Sequence, residues 1–178
     1  KVDFFKQEEL KNFCEYLKSK KIDILINNAG INKISSIDKI NINDVRNILY
    51  INLEIPTLIS SIVSKNMIKK KNGKIINISS IFGLVSKEKR SSYSSSKFGI
   101  LGLTKSSALD LASYNILVNS ISPGFIDTKL TRKILKLSGM KKMSKVVPIK
   151  RLGKVKEIAY LSMFLASSYN TYITGQNI

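Results

Sequence analysis

Three short apolar runs in this chain each end in a small polar cluster, and helix-patterned segments separate them. Ile22-Asp23-Ile24-Leu25-Ile26 runs into Asn27-Asn28-Ala29-Gly30, Lys74-Ile75-Ile76-Asn77-Ile78 into Ser79-Ser80, and Ile116-Leu117-Val118-Asn119-Ser120-Ile121 into Ser122-Pro123-Gly124. Runs of this length, rich in β-branched residues and bounded by turn formers, read as strands. Residues 8–20 place Leu10, Phe13, Tyr16 and Leu17 at helical spacing. Residues 42–66 read as one long helix, with Ile48, Ile51, Ile55, Leu58, Ile59 and Ile62 on one face and Pro56 bending it. Residues 92–113, 127–137 and 154–167 are further helices, and Gly175-Gln176-Asn177-Ile178 begins another strand. Alternating strands and helices predict an α/β fold: a doubly wound parallel sheet in three layers, helix on sheet on helix. In such sheets ligands bind at the carboxyl ends of the strands. The three polar clusters would therefore converge on one crevice.

The composition narrows the chemistry available there. The chain has 178 residues, enough for one domain, with one cysteine and no histidine. Cys14 alone excludes an internal disulfide, and catalysis by a Ser-His or Cys-His pair is excluded within the chain. No metal site is expected. The acid–base candidates reduce to Tyr, Lys, Asp and Glu. The formal net charge of +18 could suggest a nucleic-acid partner, but only Arg46, Arg90, Arg132 and Arg151 are arginines. The lysines are scattered among Ile and Asn, so the charge reads as a solvated surface, with no nucleic acid and no membrane as partner. No apolar stretch is expected to span a bilayer. No targeting segment is visible, which gives a cytoplasmic expectation.

Tyr93 and Lys97 stand four apart on a predicted helix and share a face. An ammonium beside a phenol favours the phenolate and brings Tyr into use as a proton donor or acceptor. Taken alone, the pair fits an ordinary surface Tyr–Lys contact better. Ser80, just past a strand end, would hydrogen-bond a substrate carbonyl; the alternative is a loop serine capping the backbone. Asn52 stands in mid-helix, an unfavourable place for Asn. It either marks an exposed polar position or a local backbone distortion that holds a water for proton relay.

Together these residues resemble the short-chain dehydrogenase/reductase family. The resemblance rests on Asn27-Asn28-Ala29-Gly30, Asn52, Ser80, Tyr93-Ser94-Ser95-Ser96-Lys97 and Pro123-Gly124-Phe125-Ile126-Asp127-Thr128, in that order. Asn119-Ser120-Ile121-Ser122-Pro123-Gly124, Arg151-Leu152-Gly153 and Tyr172-Ile173-Thr174-Gly175 are similar to the 3-oxoacyl-[acyl-carrier-protein] reductase-like branch. The resemblance covers nearly the whole chain and implies a Rossmann-like fold. It implies Tyr93 as general acid in ketone reduction, Lys97 lowering its pKa and holding the nicotinamide ribose, Ser80 orienting the carbonyl, and Asn52 supporting a proton-supplying water. It implies that Asn27, Ala29 and Gly30 shape the adenosine-side wall, and that Pro123, Gly124, Ile126 and Thr128 cradle the nicotinamide. It matches Asp3 to an adenine-contacting Asp; the alternative is a helix-start residue. The implied cofactor is NADP, with NAD as the alternative, and the implied assembly is a homo-oligomer, tetramer or dimer. The substrate is a small molecule or an acyl group borne on a carrier. Lys129, Arg132 and Lys133 follow the nicotinamide loop and could dock an acidic carrier, although surface solvation explains them better.

The family's opening strand and Gly-rich turn have no counterpart here, so the chain is expected to be one partial domain, 1–178, lacking the first βα units. The absent strand would lie beside Ile22–Ile26, leaving an apolar edge and a poorly folding chain. Two further functional readings are a related enzyme acting on a sugar or other small alcohol, and an inactive truncated remnant.

Overall fold

The computed structural model describes all residues, 1–178. Helix α1 (Gln7–Ser19) leads into strand β1 (Ile24–Asn27); α2 (Ile42–Leu49) and α3 (Ile55–Lys70) follow, then β2 (Gly73–Ile78), α4 (Ser91–Leu111), β3 (Ile116–Ile121), α5 (Lys129–Val146) and α6 (Val155–Ala166). The strands form a parallel sheet in the order β1-β2-β3. The last residues run beside β3 in parallel, with a single bridge from Asn177 to Ser120.

The alternating side chains of the strands feed two cores, as a sheet covered on both faces requires. Ile75, Ile116 and Val118 pack with Leu17 of α1, Ile55, Ile59, Ile62, Val63 and Met67 of α3, and Ala108 and Leu111 of α4. Ile76 and Ile121 face the other way, against Leu165 of α6. The layers are therefore α1/α3/α4, the sheet, and α6. Strand β1 is the sheet edge, where Ile24 and Ile26 are 47% and 46% exposed.

The expected long helix is found, but its irregularity is not a proline bend. Pro56 sits in the first turn of α3, where its missing N–H costs nothing. The irregularity lies before it: Tyr50–Glu54 is a π-helical segment, with the Ile55 N–H bonding to the Tyr50 carbonyl. Running through this segment, Ile42–Lys70 is long and apolar enough to cross a membrane by length and composition, contrary to the sequence expectation. Half of its most apolar window is buried inside the fold, the pattern of a core helix. The helix expected over 127–137 extends to Val146. It is broken at Lys136, whose φ of 54° and ψ of 177° interrupt the helical path, and it buries no residue.

Candidate active site

The polar strand ends do meet. β1, β2 and β3 align Asn27 with Asn77 and Asn77 with Ser120, and Ser120 bridges to Asn177. This polar row sits just below the strand ends. Asn27 Nδ2 donates to Asn77 Oδ1 (2.8 Å) and Ser60 Oγ (3.0 Å); Asn77 Nδ2 donates to Thr104 Oγ1 (2.9 Å). Ser120 and Ser122 hydroxyls both donate to Asn177 Oδ1. Buried amides this well partnered fix the relative height of strands and helices, because each unmade bond would carry a desolvation cost.

Above the row, the backbone keeps β2 and β3 together beyond their formal ends. The Ser79 N–H bonds to the Ile121 carbonyl and the Ile81 N–H to the Pro123 carbonyl. That pairing lays Ser80 beside Pro123 and Gly124. Helix α4 is then tied down along its length. Ser79 Oγ donates to the Lys97 carbonyl (3.0 Å), Lys97 Nζ to the Ile78 carbonyl (2.8 Å), and Asn77 to Thr104 as above. Gly83 permits the closest approach: a Cβ there would stand 2.6 Å from Ser79 Oγ and 2.8 Å from the Lys97 carbonyl oxygen.

These contacts frame a cavity of about 590 Å³ at the carboxyl ends of the strands. Its walls include Asn28, Gly30, Ser79, Ser80, Tyr93, Lys97, Pro123, Gly124, Ile126 and Thr128, closed on one side by β1 and α6. A second, smaller cavity of about 100 Å³ shares Ser80, Tyr93 and Gly124 as a common wall. Ser80 and Tyr93 thus stand between two spaces, one large and one small.

Asn52 is 1% exposed, which rules out the exposed-position alternative. Its Oδ1 accepts from the Ile31 N–H (2.8 Å), and its Nδ2 donates to the Ile31 carbonyl (2.9 Å) and to Ser96 Oγ (3.0 Å). The π-helical segment carries it to this spot, and Gly30 leaves it room: a Cβ there would stand 3.4 Å from Asn52 Oδ1 and 3.8 Å from Lys97 Nζ. Asn52 does not line the large cavity; it locks the loop after β1 to helix α4.

The ionisable groups are shifted mainly by burial. Burial pushes the Tyr93 phenol above its usual value, and the Ser80 hydroxyl and the Arg90 guanidinium pull against that shift. Burial lowers the Lys97 ammonium from 10.5 to about 8. Lys97 lies over the Tyr93 ring, 5.7 Å from its centroid, and its ammonium is engaged by the Ile78 carbonyl. The expected lowering of the Tyr93 pKa by Lys97 is therefore not what this geometry gives; Ser80 and Arg90 exert the downward pull.

Other expectations shift as well. Ser80 Oγ accepts from the Phe82 N–H (3.2 Å), so it caps the following turn while also facing both cavities. Asn27 is turned into the polar row, and neither it nor Ala29 lines the cavity; the loop's contribution comes from Asn28 and Gly30. Asp3 Oδ1 accepts from the Phe5 N–H (3.0 Å) at the approach to α1, away from the cavity walls, which is the helix-start alternative. Thr128 caps α5 by accepting from the Thr131 N–H. Arg132 forms a two-pronged ion pair with Asp127 and holds that carboxyl below its usual range. Sequence reasoning carried Asn28 only as part of the turn from Asn27 to Gly30 and passed over Asn32 and Arg90, which stand in no motif.

A parallel three-layer sheet with its crevice at the strand carboxyl ends is the architecture of dinucleotide-dependent enzymes, and a phenol, a hydroxyl and an ammonium on the crevice wall suit carbonyl chemistry. The whole chain, residues 1–178, matches the family model described as enoyl-(acyl carrier protein) reductase. It is 41% identical over 171 residues to the 3-oxoacyl-[acyl-carrier-protein] reductase FabG of Buchnera aphidicola subsp. Schizaphis graminum, covering 96% of this chain and 69% of that protein. The Thermotoga maritima FabG is 36% identical over 174 residues, covering 97% and 70%. Among solved structures, a gluconate 5-dehydrogenase from Burkholderia cenocepacia in complex with NADP and tartrate superposes with a TM-score of 0.91 at 28% identity, covering 99% of this chain and 71% of that one. An NAD+-bound xylitol dehydrogenase gives a TM-score of 0.90 at 29% identity, covering 99% and 75%. The chain belongs to the short-chain dehydrogenase/reductase family of NAD(P)-dependent oxidoreductases.

Proposed function

We propose that this protein reduces the ketone of a 3-oxoacyl thioester to a secondary alcohol, with NADP as cofactor and NAD as the alternative. The observation that carries the reading is the shared wall: Ser80 and Tyr93 face both the large and the small cavity, so a carbonyl in one can meet a cofactor in the other. The large cavity suits the nicotinamide end of the cofactor. A Cβ on Gly124 would meet nothing within 4 Å, so the cavity wall there is open to a planar group. The bridge between Ile126 and Gly153 uses the Phe125 carbonyl and the Asp127 N–H, which leaves the Ile126 N–H and carbonyl free for a carboxamide. Lys97, Tyr93, Gly30, Pro123, Gly124, Ile126 and Thr128 would hold the cofactor, which when bound supplies the hydride.

The chain's own residues supply the rest. Ser80 donates to the ketone oxygen and sets its position. Tyr93, a phenol that burial pushes above its usual value, donates its proton to that oxygen as the carbonyl carbon is reduced. Lys97 presents a charge to the ribose, and Asn52 supports the water that restores the Tyr93 proton. The FabG relatives favour a 3-oxoacyl substrate on an acyl carrier; the gluconate and xylitol enzymes favour the second reading, a sugar-like alcohol. A cytoplasmic homo-oligomer completes the proposal.

The test is turnover of a 3-oxobutanoyl thioester by the protein expressed from its complete gene, followed as consumption of reduced nicotinamide. Tyr93→Phe should lower kcat by roughly 10²- to 10⁴-fold. Undiminished turnover in that variant would remove Tyr93 as the acid and the proposal with it.

A further inference from the structure

The small cavity contains something the proton-transfer set does not use. Arg90, at the start of α4, is close enough to Tyr93 for their charges to influence each other, and its guanidinium lies over the Phe82 ring, 5.4 Å from the centroid. Its Nη1 is buried with no hydrogen-bond partner, and no carboxylate pairs with it. Asn32 Oδ1, on the wall of the same cavity, is also buried and unpartnered. A guanidinium N–H left unbonded among Phe82, Phe125 and Leu130 carries a desolvation cost that an incoming acceptor would relieve. Arg90 is the only cation on the wall of this cavity.

We propose that Arg90 determines substrate specificity, its Nη1 donating to a second oxygen of the ketone substrate. This rests on the reductase reading above and deepens it. Arg90 shares the wall of this cavity of about 100 Å³ with Ser80 and Tyr93. The second oxygen therefore stands within a few bonds of the ketone held at Ser80 and Tyr93. A 3-oxoacyl group has such an oxygen at its first carbon, either as the carbonyl of a thioester or as the carboxylate of the free acid. Simple ketones have none. Asn32 would then partner a polar group on the same fragment.

The experiment compares wild type, Arg90→Met and Arg90→Gln on three substrates: a 3-oxobutanoyl thioester, the 3-oxobutanoate anion and a monofunctional ketone. Thermal melts with reduced cofactor bound check that each variant is folded. Arg90→Met should raise KM roughly ten- to hundredfold for the oxygenated substrates and leave the KM of the simple ketone within about threefold, while loss of the Arg90 pull on the Tyr93 phenol changes kcat alike on all three. Arg90→Gln keeps a neutral donor. It should rescue the thioester if the carbonyl is the natural acceptor, and should fail to rescue the anion. Equal KM changes on all three substrates, or none on any, would overturn the Arg90 assignment while leaving the reductase reading intact. A wild type that reduces none of the three overturns that reading first.

Discussion

Helices α4 and α5 both border the cavities, yet they are held in opposite ways. α4 buries eight residues and is anchored by polar bonds at Ser96, Lys97 and Thr104. α5 buries none, breaks at Lys136, and leaves Leu137 78% exposed. The helix that carries the proton donor is fixed to the sheet, whereas the helix over the substrate side is held mainly by its capped first turn. Proton transfer needs heavy-atom placement within hydrogen-bond reach, which demands a rigid support. Substrate admission needs an element that opens at little cost, and such elements come from the weakly packed part of a fold.

The sharpest way to break this contrast is to cut the anchor of α4. Asn77→Leu leaves Thr104 and one arm of Asn27 without their partner in a buried setting, and should cost about 2–3 kcal/mol in urea unfolding. A loss below about 0.5 kcal/mol would mean that apolar packing alone positions α4.

Lys97→Met comes next, and its sign is opposite. The Lys97 pKa is about 8 in the folded protein against an ordinary 10.5. The folded state therefore binds fewer protons than the unfolded chain between those values. Lys97 holds stability down below pH 8, and the penalty fades as pH climbs from about 8 to 10.5. The shift corresponds to about 3 kcal/mol, from which the lost bond to the Ile78 carbonyl subtracts about 1. Lys97→Met should therefore stabilise the protein by about 2 kcal/mol at pH 7 and by little at pH 10.5, while abolishing turnover. Melting curves at the two pH values decide it; equal shifts at both would show that burial is not the cause.

The smallest effect belongs to α5. Lys136 holds a positive φ with extended ψ, a region that glycine occupies freely. Lys136→Gly should stabilise by about 1 kcal/mol without changing KM. A stabilisation accompanied by a raised KM would show that the strained break shapes the substrate side.

Much of this was legible in the linear order of residues. The three strands, their polar ends and the parallel arrangement follow from apolar runs and turn formers. Tyr93 and Lys97 follow from helical spacing, and their convergence with Ser80 and Gly124 follows from the rule that strand carboxyl ends make the crevice. These are local or topological properties, which residue spacing carries directly. Asn27 was harder to place for the complementary reason: it belongs to a motif at the crevice, but its side chain is directed by Asn77 and Ser60, neighbours distant along the chain. The π-helical turn that buries Asn52 against Ile31, the break at Lys136, and the unpartnered guanidinium of Arg90 are likewise products of packing. Sequence determined which residues could do the chemistry and where along the chain they lie. Tertiary structure alone decided which polar groups found partners and which were left facing a cavity, because burial and hydrogen bonding are settled between elements rather than within them.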